Sequence, residues 1–96
     1  MSDPLISLKL RFRDACAIDL DLIERELDNG GQEMPAHVQE ALHKLSGAAG
    51  VFGFAVLSQS AARIDDQLAN GGAPSVADLQ RLTSELWKVC AWDETT

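Results

Sequence analysis

Two histidines, two cysteines and one adjacent pair of aspartates hold most of the chemistry this sequence could do. One histidine stands out for its setting. His43 is followed by Ser46, Gly47 and Gly50, three, four and seven positions on. At 3.6 residues per helical turn, these spacings place all four on one face. A neutral imidazole is a nucleophile whose reference pKa, about 6.5, lies close to neutrality. Glycine inside a helix costs about 1 kcal/mol relative to alanine, so two beside one histidine need a reason. Here they bare the helix around the ring, and another protein can approach it. Ser46 adds a hydroxyl about one turn away, and Gln39 and Glu40 line the same face on the preceding turn. A tight helix crossing over Gly47 and Gly50 is the competing use of the glycines.

The other candidates read as bland. His37 sits two residues past Pro35, with no glycines to clear its surroundings, and is expected to be a surface residue at a helix start. Cys16 and Cys90 fall inside apolar helical patterns, which suits buried thiols better than a disulfide. Two cysteines and two histidines never approach metal-ligand spacing. Asp65 and Asp66 read as solvated helix surface, not as a metal site. The sequence has no glycine-rich loop with lysine for nucleotide phosphates and no room for a kinase ATP-binding domain. No serine–histidine–acid arrangement falls at a suitable position.

The elements that must position His43 follow from the breakers and the apolar period. Asn29-Gly30-Gly31, Gly53, and Asn70-Gly71-Gly72 with Pro74 divide the chain. Between them apolar residues recur every three or four positions, the helical period. The first helix is expected over about residues 5 to 28, with Leu5, Leu8, Phe12, Cys16, Leu20, Ile23 and Leu27 on its stripe. The second runs from near Pro35 to about Phe52, the third over about 54 to 69, and the fourth from after Ser75. Asp78, three residues past Ser75, gives that last helix a start resembling a capping box. Four amphipathic helices with short connections bury their stripes together most economically as an antiparallel, up-down four-helix bundle, an all-α fold. A short extra N-terminal helix is the alternative if the first segment breaks near Arg11 or Asp14. Trp87 and Trp92 are expected to pack at one end of the bundle.

On the second helix, Val38, Leu42, Leu45, Ala49 and Phe52 fall within a sector of roughly 80°. His43 points about 140° from Val38, outside that sector. The same argument that builds the core therefore exposes the histidine.

With 96 residues, 46% of them apolar and 24% charged, the chain fits one soluble domain spanning 1–96 with a modest stability margin. A net charge of -7 disfavours nucleic acid and anionic membrane as partners. No apolar run approaches the roughly 18 residues that cross a bilayer, and the first residues lack the pattern of a secretory leader. A cytoplasmic monomer is the expectation.

The stretch His43-Lys44-Leu45-Ser46-Gly47-Ala48-Ala49-Gly50-Val51-Phe52-Gly53-Phe54 resembles the signature of histidine-containing phosphotransfer domains. His43 matches the phosphorylated histidine of that family, and Leu45 its core residue. Gly47 matches the glycine that leaves room for phosphate and partner, and Gly53 the glycine that ends the helix. Leu57 continues the pattern, with Gln59 on the exposed face of the third helix. The signature proper covers about fifteen residues, and the bundle outline nearly the whole chain. One position departs from the pattern, since Ser46 stands where the family usually has lysine. Serine donates a hydrogen bond but brings no charge. Lys44, about 100° around the helix from His43, is a partial substitute or a solvated lysine. Arg63 is a further candidate source of positive charge.

The resemblance implies a phosphoryl carrier with no kinase activity of its own. His43 would take the group in line from an aspartyl phosphate, through the ring nitrogen remote from its stem, and pass it to another receiver domain. Lys44, Ser46, Gly47, Gly50 and Gln59 would support it. The chain itself would need no cofactor, and the partner receiver domain would supply Mg²⁺ and the acidic pocket. Response-regulator receiver domains and a hybrid sensor histidine kinase are the implied partners. They would dock on small and apolar surface around His43 that extends over the first helix. Two other readings stand beside this one. The bundle could block a receiver or kinase by docking without transfer, or serve as an adaptor whose glycines pack under another helix.

Overall fold

Glycines in the left-handed region set the helix ends. The computed structural model describes residues 4–30 and 34–92 and contains α1 (Pro4–Asp28), α2 (Ala36–Val51), α3 (Ala55–Ala69) and α4 (Val76–Cys90). After α2, Gly53 takes φ +83°. There the Gly53 N–H reaches the Gly50 carbonyl at 3.3 Å, and the Phe54 N–H reaches Ala49 at 2.9 Å. This paired closure satisfies carbonyls that the helix end would otherwise leave open. Gly71, at φ +79°, closes α3 in the same way, with the Gly72 N–H on the Gln67 carbonyl at 2.9 Å. Such turns need positive φ, which a Cβ disfavours. Gly31, the last residue of the expected first break, lies outside the described residues.

The α4 start differs from a full capping box. Ser75 Oγ accepts the Asp78 N–H at 3.0 Å, as expected. The Asp78 carboxylate does not return the bond and instead takes Gln67 and Arg63 from α3. At α2, Pro35 is the residue before the helix, one position outside the expected first turn.

Cross-helix partners run in opposite sequence directions. Ser58 reaches Ser46 while Asp65 reaches His43, so α2 and α3 are antiparallel. Arg13 reaches Trp92 while Glu24 reaches Trp87, so α1 and α4 are antiparallel as well. Each helix packs on its chain neighbours, and α1 closes the ring on α4. This is the expected up-down four-helix bundle. Among the described residues there is no strand, and no helix is long and apolar enough to cross a membrane.

The core holds Phe12, Cys16, Leu20 and Ile23 from α1, and Val38, Leu42, Leu45 and Ala49 from α2. From α3 it takes Leu57, Ala61 and Ile64, and from α4 Leu79, Leu82, Leu86 and Val89. Each large aliphatic side chain so buried contributes roughly 1.5–3 kcal/mol. Burial, with Asp19 and Cys90 nearby, pushes the Cys16 thiol up to about 12, and both cysteines are free thiols.

The first segment is one unbroken helix, as expected, and the alternative break near Arg11 or Asp14 does not occur; Leu5 and Leu8 in its opening turns are half exposed. One expectation is corrected. The tryptophans separate. Trp92 packs at the bundle end, edge-on to Phe54, with the Lys9 ammonium 5.6 Å from its ring centre. Trp87 lies exposed on the flank, donating its indole N–H to Glu24 at 3.2 Å.

Candidate functional site

His43 stands on α2 with its side chain 78% exposed, as the apolar sector requires. Its ring is not free to turn at will, because Nδ1 lies 3.0 Å from Asp65 Oδ2 on α3. An ionised carboxylate only accepts hydrogen bonds, so Nδ1 carries the proton. In the neutral ring the lone pair then belongs to Nε2, the remote nitrogen, which the exposure leaves open to solvent. Asp65 thus fixes both tautomer and ring direction.

Asp65 is the site residue that sequence reasoning missed, having read it as solvated surface. A signal was present. The α2–α3 turn is centred near Phe54, and His43 and Asp65 lie at equal sequence distance on either side of it. In an antiparallel hairpin such positions face one another. Asp66, by contrast, is exposed as expected, and so is His37.

The two helix-interior glycines differ in their surroundings. A Cβ at Gly47 would meet nothing within 4 Å, so the surface beside the ring is bare. At Gly50 a Cβ would meet Ser58 Oγ at 3.4 Å, the near edge of ordinary contact, so this glycine faces α3 without being needed for the helices to approach. Of the two uses weighed for the pair, the bared surface is present at Gly47, and a tight crossing is not required at Gly50. Ser58 also donates from Oγ to the Ser46 carbonyl at 2.7 Å, tying α3 to the helix that carries the histidine.

Ser46 does not offer its hydrogen outward. Its Oγ donates to the His43 carbonyl at 2.9 Å, within the same helix. Lys44 is exposed and forms no ion pair among the described residues. Arg63 is no source of charge for His43, because it turns to the opposite side of α3 and pairs with Asp78 on α4 at 3.4 Å. Gln59 is exposed but lines the α3–α4 cleft beside Arg63 and Arg81. It sits about 120° around α3 from Asp65 and roughly 9 Å along the axis, so the fold does not bring it to the ring. Apolar surface near His43 includes the exposed Val51 on α2, and α1 exposes Ile18. Among the described residues no group of three or more His, Cys, Asp or Glu could hold a metal ion.

The site is therefore one exposed imidazole over a bare helix surface, its tautomer fixed by the Asp65 carboxylate, with no cation paired to either group among the described residues. No curated protein and no solved structure matches the chain. The family model described as Hpt domain matches residues 7–92, nearly the whole length. The chain belongs to the Hpt domain family, whose members serve phosphotransfer in two-component signalling and meet receiver domains there.

Proposed function

We propose that His43 accepts a phosphoryl group from the aspartyl phosphate of one receiver domain and passes it to another. The observation that carries this reading is the exposed Nε2 of a ring whose Nδ1–H is held by Asp65, beside the open surface at Gly47. The Nε2 lone pair attacks phosphorus in line, the bond from phosphorus to the aspartyl oxygen breaks, and the carboxylate leaves with that pair. The ring then bears positive charge, which the Asp65 carboxylate offsets. Transfer onward is the reverse step on a second receiver.

Most transition-state stabilisation is assigned to the partner, whose acidic pocket holds Mg²⁺. This chain supplies a nucleophile of fixed direction on a rigid helix, and it has no ATP-dependent kinase activity. Lys44 is the nearest flexible cation along α2 and is assigned the part that lysine plays at the Ser46 position in the family. The setting is cytoplasmic, the chain acts as a monomer, and the donor is a receiver domain, including one within a hybrid sensor histidine kinase.

A second reading rests on Ser46, whose hydroxyl is committed to the His43 carbonyl. In that reading the bundle docks on a receiver and blocks it without transfer. Incubation with a panel of phosphorylated receiver domains separates the two. Label moving to the native chain and not to His43→Gln is the expected result. Binding by both chains without label on either would replace the carrier with the blocker.

A further inference from the structure

The side of α3 turned away from His43 carries a second polar constellation. A cleft of about 260 Å³ lies between α3 and α4, lined by Val56, Gln59, Ser60, Arg63, Asp78 and Arg81. The whole chain has eight lysines and arginines against a net charge of -7, and two of the eight meet here. Arg63 gives its Nε to Asp78, which leaves its terminal nitrogens for another acceptor. Arg81 has no ion-pair partner among the described residues. Two guanidiniums and one carboxylate leave the cleft with one net positive charge.

Ser60 adds the second observation. It is the one buried polar residue among those described, at 8% exposure, and it lines this cleft. Its hydroxyl is not sealed off, since the one buried side-chain atom without a partner among the described residues is Gln67 Oε1, and it opens onto the cleft where it can donate. The Gln59 amide adds further donors beside it. The donors thus exceed the acceptors on one wall of a small concave space.

The other end of the cleft is more apolar. Val56, itself half exposed, is shared with a neighbouring cleft of about 280 Å³ whose wall holds Leu57, Val89 and Trp92 together with the Glu85–Lys88 ion pair. A ligand with one charged end and one greasy end fits this pair of spaces. A single net positive charge favours one negative charge over two, and a guanidinium fork matches a planar carboxylate.

We propose that the α3–α4 cleft is a binding site for a small monocarboxylate with a short apolar stem. The carboxylate lies between Arg63 and Arg81 and accepts from Ser60, and the stem crosses Val56 into the apolar space. Arg63 and Asp65 are about 200° apart around α3, so the site leaves the His43 face uncovered.

The test is a residue-resolved NMR titration of the full native chain with hexanoate, against chloride and inorganic phosphate at matched ionic strength. Saturating amide shifts centred on Gln59, Ser60, Arg63 and Arg81 are expected with hexanoate, with weaker shifts from phosphate and none that saturate from chloride. Arg81→Gln should weaken hexanoate binding about tenfold, the loss of one charge-assisted contact. Ser60→Ala, a smaller change, should weaken it a few-fold while the spectrum keeps its dispersion. Shifts centred elsewhere, equal responses to hexanoate and chloride, or an Arg81→Gln chain that binds hexanoate as well as the native chain would overturn the site. Phosphate binding more tightly than hexanoate would overturn its assignment to a monocarboxylate.

Discussion

α3 serves two acid–base pairs on nearly opposite faces. On one face its Asp65 meets His43 of α2 at 3.0 Å, and on the other its Arg63 meets Asp78 of α4 at 3.4 Å. Asp78 is surrounded, with 12% of its side chain exposed, and Gln67 Nε2 donates to it at 3.0 Å besides the guanidinium. It joins two helices and leaves little for a newcomer to use. Asp65 has a single partner and uses it to turn an exposed ring. A carboxylate taken up by several partners, like Asp78, fastens helices together, whereas one with a single exposed partner, like Asp65, can present a reactive atom. Gln67, which donates to Asp78 from Nε2, keeps its own Oε1 buried with no partner.

The sharpest way to test that contrast is to close the open pair without touching it. Gly47→Leu puts a side chain into open space beside the ring, so the fold should gain up to about 1 kcal/mol from helix propensity. Transfer from a phosphorylated receiver should nevertheless fall about 100-fold, because displacing the reacting atoms by an ångström has effects of that size. Thermal melts and transfer rates on one preparation check both halves. A variant that is more stable and equally fast would show that partners do not approach over Gly47.

Asp65→Ala should have the next largest effect. Losing one hydrogen bond to a charged group is worth roughly 1.5 kcal/mol, or about a tenfold slower transfer. Stability should barely move, because the pair is exposed on the histidine side. Ring ¹⁵N shifts should report the mechanism directly, since the proton redistributes between Nδ1 and Nε2 once the carboxylate is gone. A slower variant with an unchanged tautomer would remove Asp65 from its positioning role.

These residues also mark how far the sequence could be read. Helix number, order and the outward direction of His43 were legible because each follows from a local repeat of three to four residues. Gly47 was legible for the same reason, as a helix-propensity penalty without a local benefit. Asp65 was not, because its role exists only once α2 and α3 are folded onto each other, although its distance from Phe54 mirrors that of His43. Gln59 failed in the opposite way. Its place after the signature suggested proximity, but chain distance says nothing about which side of α3 it faces. Ser46 was read as an outward donor, yet a helical serine has a nearer acceptor in its own backbone, the carbonyl three residues back.

The smallest expected effects set Asp78 against Asp19, two carboxyls whose environments act in opposite directions. Hydrogen bonds from Gln67 and at Ser75, with Arg63 and Arg81 near, hold Asp78 below its ordinary value of 3.8. Its contribution to stability is therefore present above that value and is lost as pH falls through the folded pKa. Burial on α1 instead pushes Asp19 up to about 6 from 3.8. The folded state resists ionising it, so stability is fullest below 3.8 and declines as pH rises through about 6. Asp19→Asn should then stabilise the fold at neutral pH by about 1 kcal/mol, allowing for partial exposure, and so raise the melting temperature. The gain should vanish in acid below the ordinary carboxyl range. Asp78→Asn should lower the melting temperature at neutral pH and converge on the native chain only in strong acid. If the two variants shift the melting temperature in the same direction at neutral pH, the fastening role of Asp78 or the buried strain at Asp19 is wrong, and the pH at which each difference closes identifies which.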